Sequence, residues 1–251
     1  MTVQNKLWYG IFMVGASLMM AHPSLLSATP VNRVEVFKGV AKNERGEIAY
    51  IEEHRVVYEQ GRHRRNQTRY LDASGKEFAV LTSKFGHHPY VPEYDFEDRR
   101  FGRKDGARVQ EGFVSTYGQP SQQASRRESL VTLTSDMITG QGLHFFFQDH
   151  LATLAEPDGT VKKVKFLIPL EGKDYVFRIR RVEESGVASG TATFRIEIDN
   201  WVLRMFAPYL EVRYDVASKR LMSYKGVSNL LDANRQAQNV VITYQYGDNA
   251  S

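Results

Sequence analysis

Apolar and polar residues alternate along most of the chain from Arg33 onward, and turn-forming residues interrupt the alternation at short intervals. A period of two predicts β-strands, and frequent turns between them predict antiparallel pairing. The clearest case is 192–199, where apolar and polar residues strictly alternate. The predicted strands are 33–41, 47–60, 65–71, 77–84, 107–117, 125–134, 161–168, 175–183, 192–199, 209–214, 219–227 and 239–246.

Three segments depart from this alternation. Residues 85–106 contain two prolines, mixed charges and several aromatic side chains, which predict a long loop packed on the domain. Residues 142–154 predict one helix, because apolar side chains recur on one face at helical spacing. Phe145 lies on the opposite face, so the helix is expected to be sandwiched. Residues 201–206 predict a short apolar turn or helix.

These elements predict a mainly β fold with one embedded central helix. A single antiparallel sheet with this many strands twists and curls strongly, which favours a half-barrel or open barrel. The helix would fill the concave side and leave a groove against the sheet, where ligands commonly bind. The alternative is a two-sheet sandwich with the helix outside.

The N-terminus predicts export. Lys6 precedes an uncharged, largely apolar stretch at 7–20, and 21–28 ends in small residues. This order is typical of a signal peptide, with cleavage expected after Ala28. The remaining chain, 29–251, is expected to form a single β-rich domain, periplasmic if the source is Gram-negative. The alternative is an uncleaved membrane anchor.

Composition narrows the classes of function. The chain has 251 residues, of which 42% are hydrophobic and 25% charged, as expected of a globular protein. The net charge is only +4, with acidic residues scattered among the basic ones, so we expect no nucleic-acid partner. The chain has no cysteine, which excludes disulfides and thiolate chemistry. It also lacks nucleotide-binding motifs, and we expect no cofactor.

Three groups of short motifs stand out along the chain. They lie at 46–54 with 70–75, at 142–146, and at 214–215, 219–221, 224–229 and Asp232. Together they resemble an uncharacterised family of exported bacterial proteins of unknown function, and this resemblance implies export and a β-rich fold. A looser resemblance, in architecture alone, is to the half-open barrels of periplasmic lipoprotein carriers, in which a curved sheet wraps helices around an apolar cavity.

The aromatic residues near the predicted groove favour a binding protein over an enzyme. We expect Tyr50, Tyr58, Phe145 and Phe146 to form the walls of a site for an apolar or amphipathic, lipid-like envelope molecule. No complete catalytic set is recognisable beside them. A purely structural envelope protein, which would need no cavity, is a further alternative.

The enzyme alternative depends on Glu52 and His54, which share one face of the second predicted strand. A carboxylate beside an imidazole can tune its pKa for proton transfer on a small substrate. The same two residues would also fit a cross-strand pair with arginine or a buried histidine bonded to tyrosine. His144 and His150 are six residues apart rather than four, so no metal site is expected.

Two clusters of basic residues suggest a surface role. One is at 62–65 with Arg69, and the other comprises three lysines within 162–165. Such clusters attract anionic lipid head groups, which would allow peripheral contact with a membrane. They also protect exposed strands from pairing with other sheets, which is the simpler interpretation.

Overall fold

A computed structural model describes residues 32–156, 161–183, 189–205 and 207–247. Fifteen strands in these ranges form one sheet that is curved but not closed, and two helices accompany it. The predicted mainly β, open-sheet fold is therefore confirmed. The predicted signal peptide, 1–28, lies outside the described residues. In the described part of the chain, no helix is long and apolar enough to cross a membrane.

The strands and helices follow one another in a simple order along the chain. The first half contains β1 (Arg33–Lys42), β2 (Ile48–Glu59), β3 (Arg62–Leu71), β4 (Glu77–Lys84), β5 (Glu93–Asp98), β6 (Arg103–Gln110), β7 (Phe113–Gln119) and β8 (Arg127–Thr132). The second half contains β9 (Met137–Ile138), α1 (Gly140–Leu154), β10 (Lys162–Ile168), β11 (Lys173–Val182), β12 (Thr191–Ile198), α2 (Trp201–Arg204), β13 (Leu210–Asp215), β14 (Leu221–Leu231) and β15 (Ala237–Tyr246).

The sheet consists of two meanders that are joined where the first strand, β1, pairs with the last strand, β15. Strands β1 to β8 lie in sequence order on one side, and β15 back to β9 lie on the other, with β1 paired to β15. Every pairing is antiparallel except that of β9 with β10. The curl of the sheet brings its two ends close together. Leu170, which follows β10, packs closely on Gly118 of β7.

Two hydrophobic clusters fill the concave side of the sheet. The first lies mainly on β1 to β7 and β15, and the second on α1 and β10 to β13. Helix α1 contributes side chains to both clusters: Phe145 packs in the first, and Phe146 and Phe147 pack in the second. All three phenylalanines are buried. The two-sided helix is confirmed, and the sandwich with an external helix is excluded.

The start of α1 depends on its fit against the loop before β5. Thr139 caps the helix by accepting a hydrogen bond from the Gly142 amide, and its own amide donates to the Tyr90 carbonyl. Gly142 lies against that carbonyl so closely that a Cβ atom would collide with it. The glycine therefore allows the helix to enter the concavity.

The predicted long loop at 85–106 is wrong from Glu93 onward. Strand β5 and the start of β6 occupy this part, and Tyr94 and Phe96 point into the core while Asp95 between them is exposed. Prolines and charges obscured this alternation in the sequence. The predicted strand 107–117 is instead the β6–β7 hairpin, turning at Gly112 with a φ of +75°.

Candidate functional site

Glu52 and His54 form a hydrogen-bonded pair on the concave face of β2. The Nε2 atom of His54 lies 2.9 Å from Oε2 of Glu52. The same carboxylate oxygen accepts a hydrogen bond from the hydroxyl of Tyr244, at 3.1 Å. On the other side of the imidazole, Nδ1 lies 3.0 Å from the Thr68 hydroxyl. Nε2 is therefore placed to donate to Glu52, and Nδ1 shares a hydrogen bond with the Thr68 hydroxyl.

The register of the sheet explains why these groups meet. His54 is opposite Phe37 of β1 on one side and opposite Thr68 of β3 on the other. Its ring stacks on Phe37 with centroids 4.4 Å apart. The sequence predicted the local pair Glu52 and His54, but Thr68 and Tyr244 come from other strands and carried no local signal.

Four tyrosines surround the Glu52 carboxylate. Burial is the main cause that raises the pKa of each phenol, and the negative charge of Glu52 adds to it. These phenols therefore remain protonated near pH 7. Tyr244 donates to the carboxylate itself, whereas Tyr224 donates to the Val227 carbonyl. The four are Tyr50, Tyr70, Tyr224 and Tyr244.

Helix α1 contributes His144 to the same region. Its Nδ1 atom lies 3.1 Å from the hydroxyl of Tyr214, and the two rings stack at 5.8 Å. The ring of Phe37 is 6.4 Å away, which links His144 to the His54 stack. Burial, with smaller contributions from the positive charges of His54 and His63, lowers the pKa of His144 to about 3. His144 is therefore neutral near pH 7.

A set of half-buried side chains lies where the two hydrophobic clusters meet, and we call it the seam. Leu221 and Tyr224 pack against both clusters. The hydroxyl of Tyr246 donates to the Leu221 carbonyl at 3.1 Å, and the Tyr246 ring stacks on Phe37 at 4.8 Å. The seam consists of His54, His144, Leu221, Tyr224 and Tyr246, all half-buried.

The seam is only partly covered by its neighbours. Burial lowers the pKa of His144 and raises that of Tyr224, yet each residue keeps part of its surface accessible. The seam therefore combines apolar neighbours with imidazole and phenol groups.

The four predicted wall residues lie in the core around the seam. Each of them is at most 4% exposed. The Tyr50 hydroxyl shares a hydrogen bond of 2.8 Å with Ser228, and burial raises the pKa of Tyr58 to about 12. Phe145 stacks on His63 at 3.9 Å, and Phe146 packs edge-on against Tyr90. Direct contact of Tyr50, Tyr58, Phe145 and Phe146 with a ligand stays a prediction.

Three buried polar atoms on β3 and β4 lack a hydrogen-bond partner among the described residues. They are Nε of Arg64, Oδ1 of Asn66 and Oγ of Ser83. Asn66 and Ser83 face each other across the two strands, and Ser83 is only 5% exposed. Leaving such a group unpaired costs about 1 to 3 kcal/mol. No sequence signal pointed to this cluster.

The end of β14 closes one end of the half-barrel. The Asn229 amide donates to the hydroxyl of Tyr70 at 3.2 Å, as Ser228 contacts Tyr50. From the opposite meander, the Arg103 guanidinium donates to the Asn229 carbonyl at 2.6 Å, and that of Arg100 donates to the Leu231 carbonyl at 3.1 Å. The motif at 224–229 thus includes residues that tie the two meanders together.

His150 and two residues of the predicted basic clusters have local partners. His150 Nε2 lies 3.4 Å from the Tyr90 hydroxyl, far along the helix from the partners of His144. Within the described ranges, no three acidic or histidine side chains are arranged to hold a metal ion. In the predicted basic clusters, Arg69 pairs with Glu53 and Glu77, and Lys163 pairs with Asp199.

Comparisons with known proteins concern the fold. No protein-family model and no curated protein sequence matches the chain. A β-barrel-like protein of the domain of unknown function DUF1849 from Brucella abortus is similar in structure over 88% of this chain and 100% of that chain, with 8% identity and a TM-score of 0.41. A putative outer membrane lipoprotein-sorting protein domain from Vibrio parahaemolyticus is similar over 87% and 86%, with 6% identity and a TM-score of 0.28.

The two structures are an uncharacterised domain and a lipoprotein-sorting domain, and likenesses at these identities and TM-scores carry no argument about what this chain does. The function is therefore argued from the site.

Proposed function

We propose that this protein binds an apolar or amphipathic, lipid-like molecule between α1 and the concave face of the sheet, without catalysing a reaction. One observation carries the proposal: the half-buried side chains of Leu221 and Tyr224 pack against both hydrophobic clusters, and each residue keeps accessible surface. We infer an apolar crevice between α1 and the sheet at this point.

The binding energy would come mainly from burial of the ligand's apolar surface. Each square ångström removed from water contributes about 25 cal/mol before ordering costs are subtracted. The polar end of an amphipathic ligand would meet Nε2 of His144 and the phenol oxygen of Tyr224, because both nitrogens of His54 already bond within the protein. Tyr50, Tyr58, Phe145 and Phe146 would support the seam from behind and line a wider groove if α1 moves outward.

The proposal includes a place of action in the cell envelope. The pattern at 1–28 supports export, with cleavage after Ala28 and a single domain at 29–251. The protein would then act in the periplasm of a Gram-negative source. N-terminal sequencing of protein from the cell-envelope fraction tests this, since it should begin at Thr29. Intact Met1 in the membrane fraction would instead indicate a retained anchor.

A bulky substitution at Leu221 tests ligand binding at the seam. Leu221→Trp should fill the crevice and weaken binding of the apolar probe 1-N-phenylnaphthylamine by about tenfold, the effect of losing roughly 1.4 kcal/mol of binding free energy. Met222→Trp is the matched control, because Met222 is the next residue on β14 and is exposed. Probe fluorescence gives the affinity, and mass spectrometry of extracted protein tests for a copurified lipid.

The outcomes separate the hypotheses. Equal probe affinity in the Leu221→Trp and Met222→Trp variants, with no copurified lipid, would contradict the proposal and favour a purely structural protein. Unfolding curves of both variants are needed alongside, so that loss of binding is not mistaken for loss of fold.

An acid–base enzyme is the second candidate, and one observation favours it. Thr68, His54 and Glu52 form a continuous hydroxyl–imidazole–carboxylate series. However, Thr68 is only 2% exposed, so its hydroxyl is not presented to a substrate. If Glu52→Gln abolished the cellular phenotype of the gene while Leu221→Trp left it intact, this candidate would replace the binding proposal.

A further inference from the structure

Helix α2 presents an apolar tip to solvent. None of its residues is buried, and Trp201 is 68% exposed. Val202, Leu203 and Met205 are exposed as well, followed by Tyr209 at the start of the next strand. Soluble monomeric proteins seldom leave contiguous large apolar side chains uncovered unless the patch binds something.

The tip is held in place by its own hydrogen bonds. The side chain of Asn200 accepts from the amides of Val202 and Leu203, at 3.0 and 3.1 Å. The Arg204 guanidinium donates to the Asp199 carbonyl at 3.3 Å. The helix cap therefore fixes the apolar side chains in an outward position.

An apolar groove lies beside the tip on the outer face of the sheet. It has a volume of about 460 Å³, with Met205, Pro208 and Tyr209 among its lining residues. Val241 also lines it and lies between Lys42 and Lys225 in the register of β1, β15 and β14. The groove thus has an apolar lining with an ammonium group on either side.

The charge around this surface is positive. Among the described residues, neither Lys42 nor Lys225 forms an ion pair, and Arg204 adds a third cation at the tip. Glu44 also lines the groove, where it accepts a hydrogen bond from Asn239 at 3.2 Å. Glu211, opposite Lys225 on β13, pairs with Arg195, so this pair adds no net charge. The excess of cations that remains complements an anionic surface rather than a basic one.

We propose that the α2 tip and the adjoining groove dock on the surface of a bilayer that contains anionic phospholipid. Tryptophan and tyrosine prefer the interface between head groups and acyl chains. Apolar side chains flanked by lysine and arginine are typical of segments that lie in this interface. Lysine side chains near an anionic surface add electrostatic attraction to this apolar insertion. This inference is independent of ligand binding at the seam.

The fluorescence of Trp201 tests the proposal directly. The chain has only two tryptophans, so Trp8→Phe leaves Trp201 alone whether or not the N-terminus is retained. With this protein, recovered from the cell envelope, vesicles of mixed phosphatidylglycerol and phosphatidylcholine should shift the emission to the blue. Brominated acyl chains should quench it. Pure phosphatidylcholine vesicles should bind much more weakly, as should the mixed vesicles near 1 M salt, where the Debye length is about 3 Å.

Matched variants locate the docking surface. Leu203→Asp should reduce binding to the mixed vesicles by about tenfold or more, because it removes an inserted leucine and adds a negative charge. Leu130→Asp is the control, since Leu130 on β8 is similarly exposed, at 62% against 50%. Lys225→Gln should weaken binding by several-fold, whereas Lys76→Gln in the exposed β3–β4 turn should not.

Several results would overturn the proposal. Unchanged Trp201 emission with mixed vesicles would do so, as would equal losses in the Leu203→Asp and Leu130→Asp variants. Equal binding to neutral and anionic vesicles would refute the role of the lysines. A dimer that Leu203→Asp converts to a monomer, with no vesicle binding, would assign the patch to a second copy of the chain.

Discussion

Acid should destabilise the folded protein through His144. In the folded state, burial lowers the pKa of this imidazole to about 3, from an ordinary value of 6.5. The groups that face it are Tyr214, which bonds its Nδ1 atom, and His54 and His63, whose positive charges would oppose its protonation. The unfolded chain has no such restriction and binds a proton at His144 below about pH 6.5.

The size of the effect follows from proton linkage. As pH falls, the unfolded state binds more protons than the folded state, so stability is present above about pH 6.5 and is lost progressively towards pH 3. At about pH 5, the unfolded imidazole is almost fully protonated while the folded imidazole of His144 binds almost no proton. The loss of unfolding free energy from this group alone is then about 2 kcal/mol relative to about pH 8.

Urea denaturation of the wild-type protein and a His144→Gln variant isolates this contribution. Glutamine keeps a polar group near the Tyr214 hydroxyl and does not titrate. The wild type should lose about 2 kcal/mol more than the variant between about pH 8 and pH 5. His87→Gln, at an exposed position, should behave like the wild type. Equal pH dependence in the wild type and His144→Gln would refute the buried, neutral imidazole at the seam.

Two further predictions concern the packing around the site. Ser83→Ala should leave the free energy of unfolding unchanged or raise it by up to about 1 kcal/mol, because the Ser83 hydroxyl has no partner among the described residues. Thr68→Val should lower it by about 1 to 3 kcal/mol, because Nδ1 of His54 loses its hydrogen bond. Urea denaturation measures both, and a clear loss in Ser83→Ala would show that its hydroxyl has a bound partner. Gly142→Ala should cost about 3 kcal/mol because its Cβ would collide with the Tyr90 carbonyl, whereas Gly140→Ala, with open space around it, should change stability by less than about 0.5 kcal/mol. Similar thermal midpoints for these two glycine variants would contradict the close approach.

The candidate site was predictable only in its local part. Glu52 and His54 lie two residues apart on one strand, so alternation alone placed them on one face and the structure joins them at 2.9 Å. Tyr244 and Thr68, which complete the cluster, belong to strands that the curl and register bring alongside. Helical spacing argued against a metal site at His144, but it could not identify the partner of this residue, Tyr214, which is 70 residues away.

Periodicity determined the fold class because it is a property of neighbouring residues. The alternation on the strands predicted the sheet, and the two-sided apolar pattern of 142–154 favoured a helix inside its curve over a helix outside a sandwich. Strand β5, within 85–106, was missed because the prediction uses neighbouring residues only. Prolines and charges there mask the alternation of Tyr94 and Phe96, and the strand is stabilised by pairing with β4 and β6.

Only the tertiary structure decided which side chains are covered and which remain open. The identity of an apolar residue does not show whether it is buried, so Phe145 and Trp201 are both compatible with a hydrophobic core. The curl of the sheet covers Phe145 on both sides, whereas Trp201 lies on a connection beyond the sheet's packed face and stays exposed. Burial is a property of the whole arrangement of strands, and no window of sequence contains it.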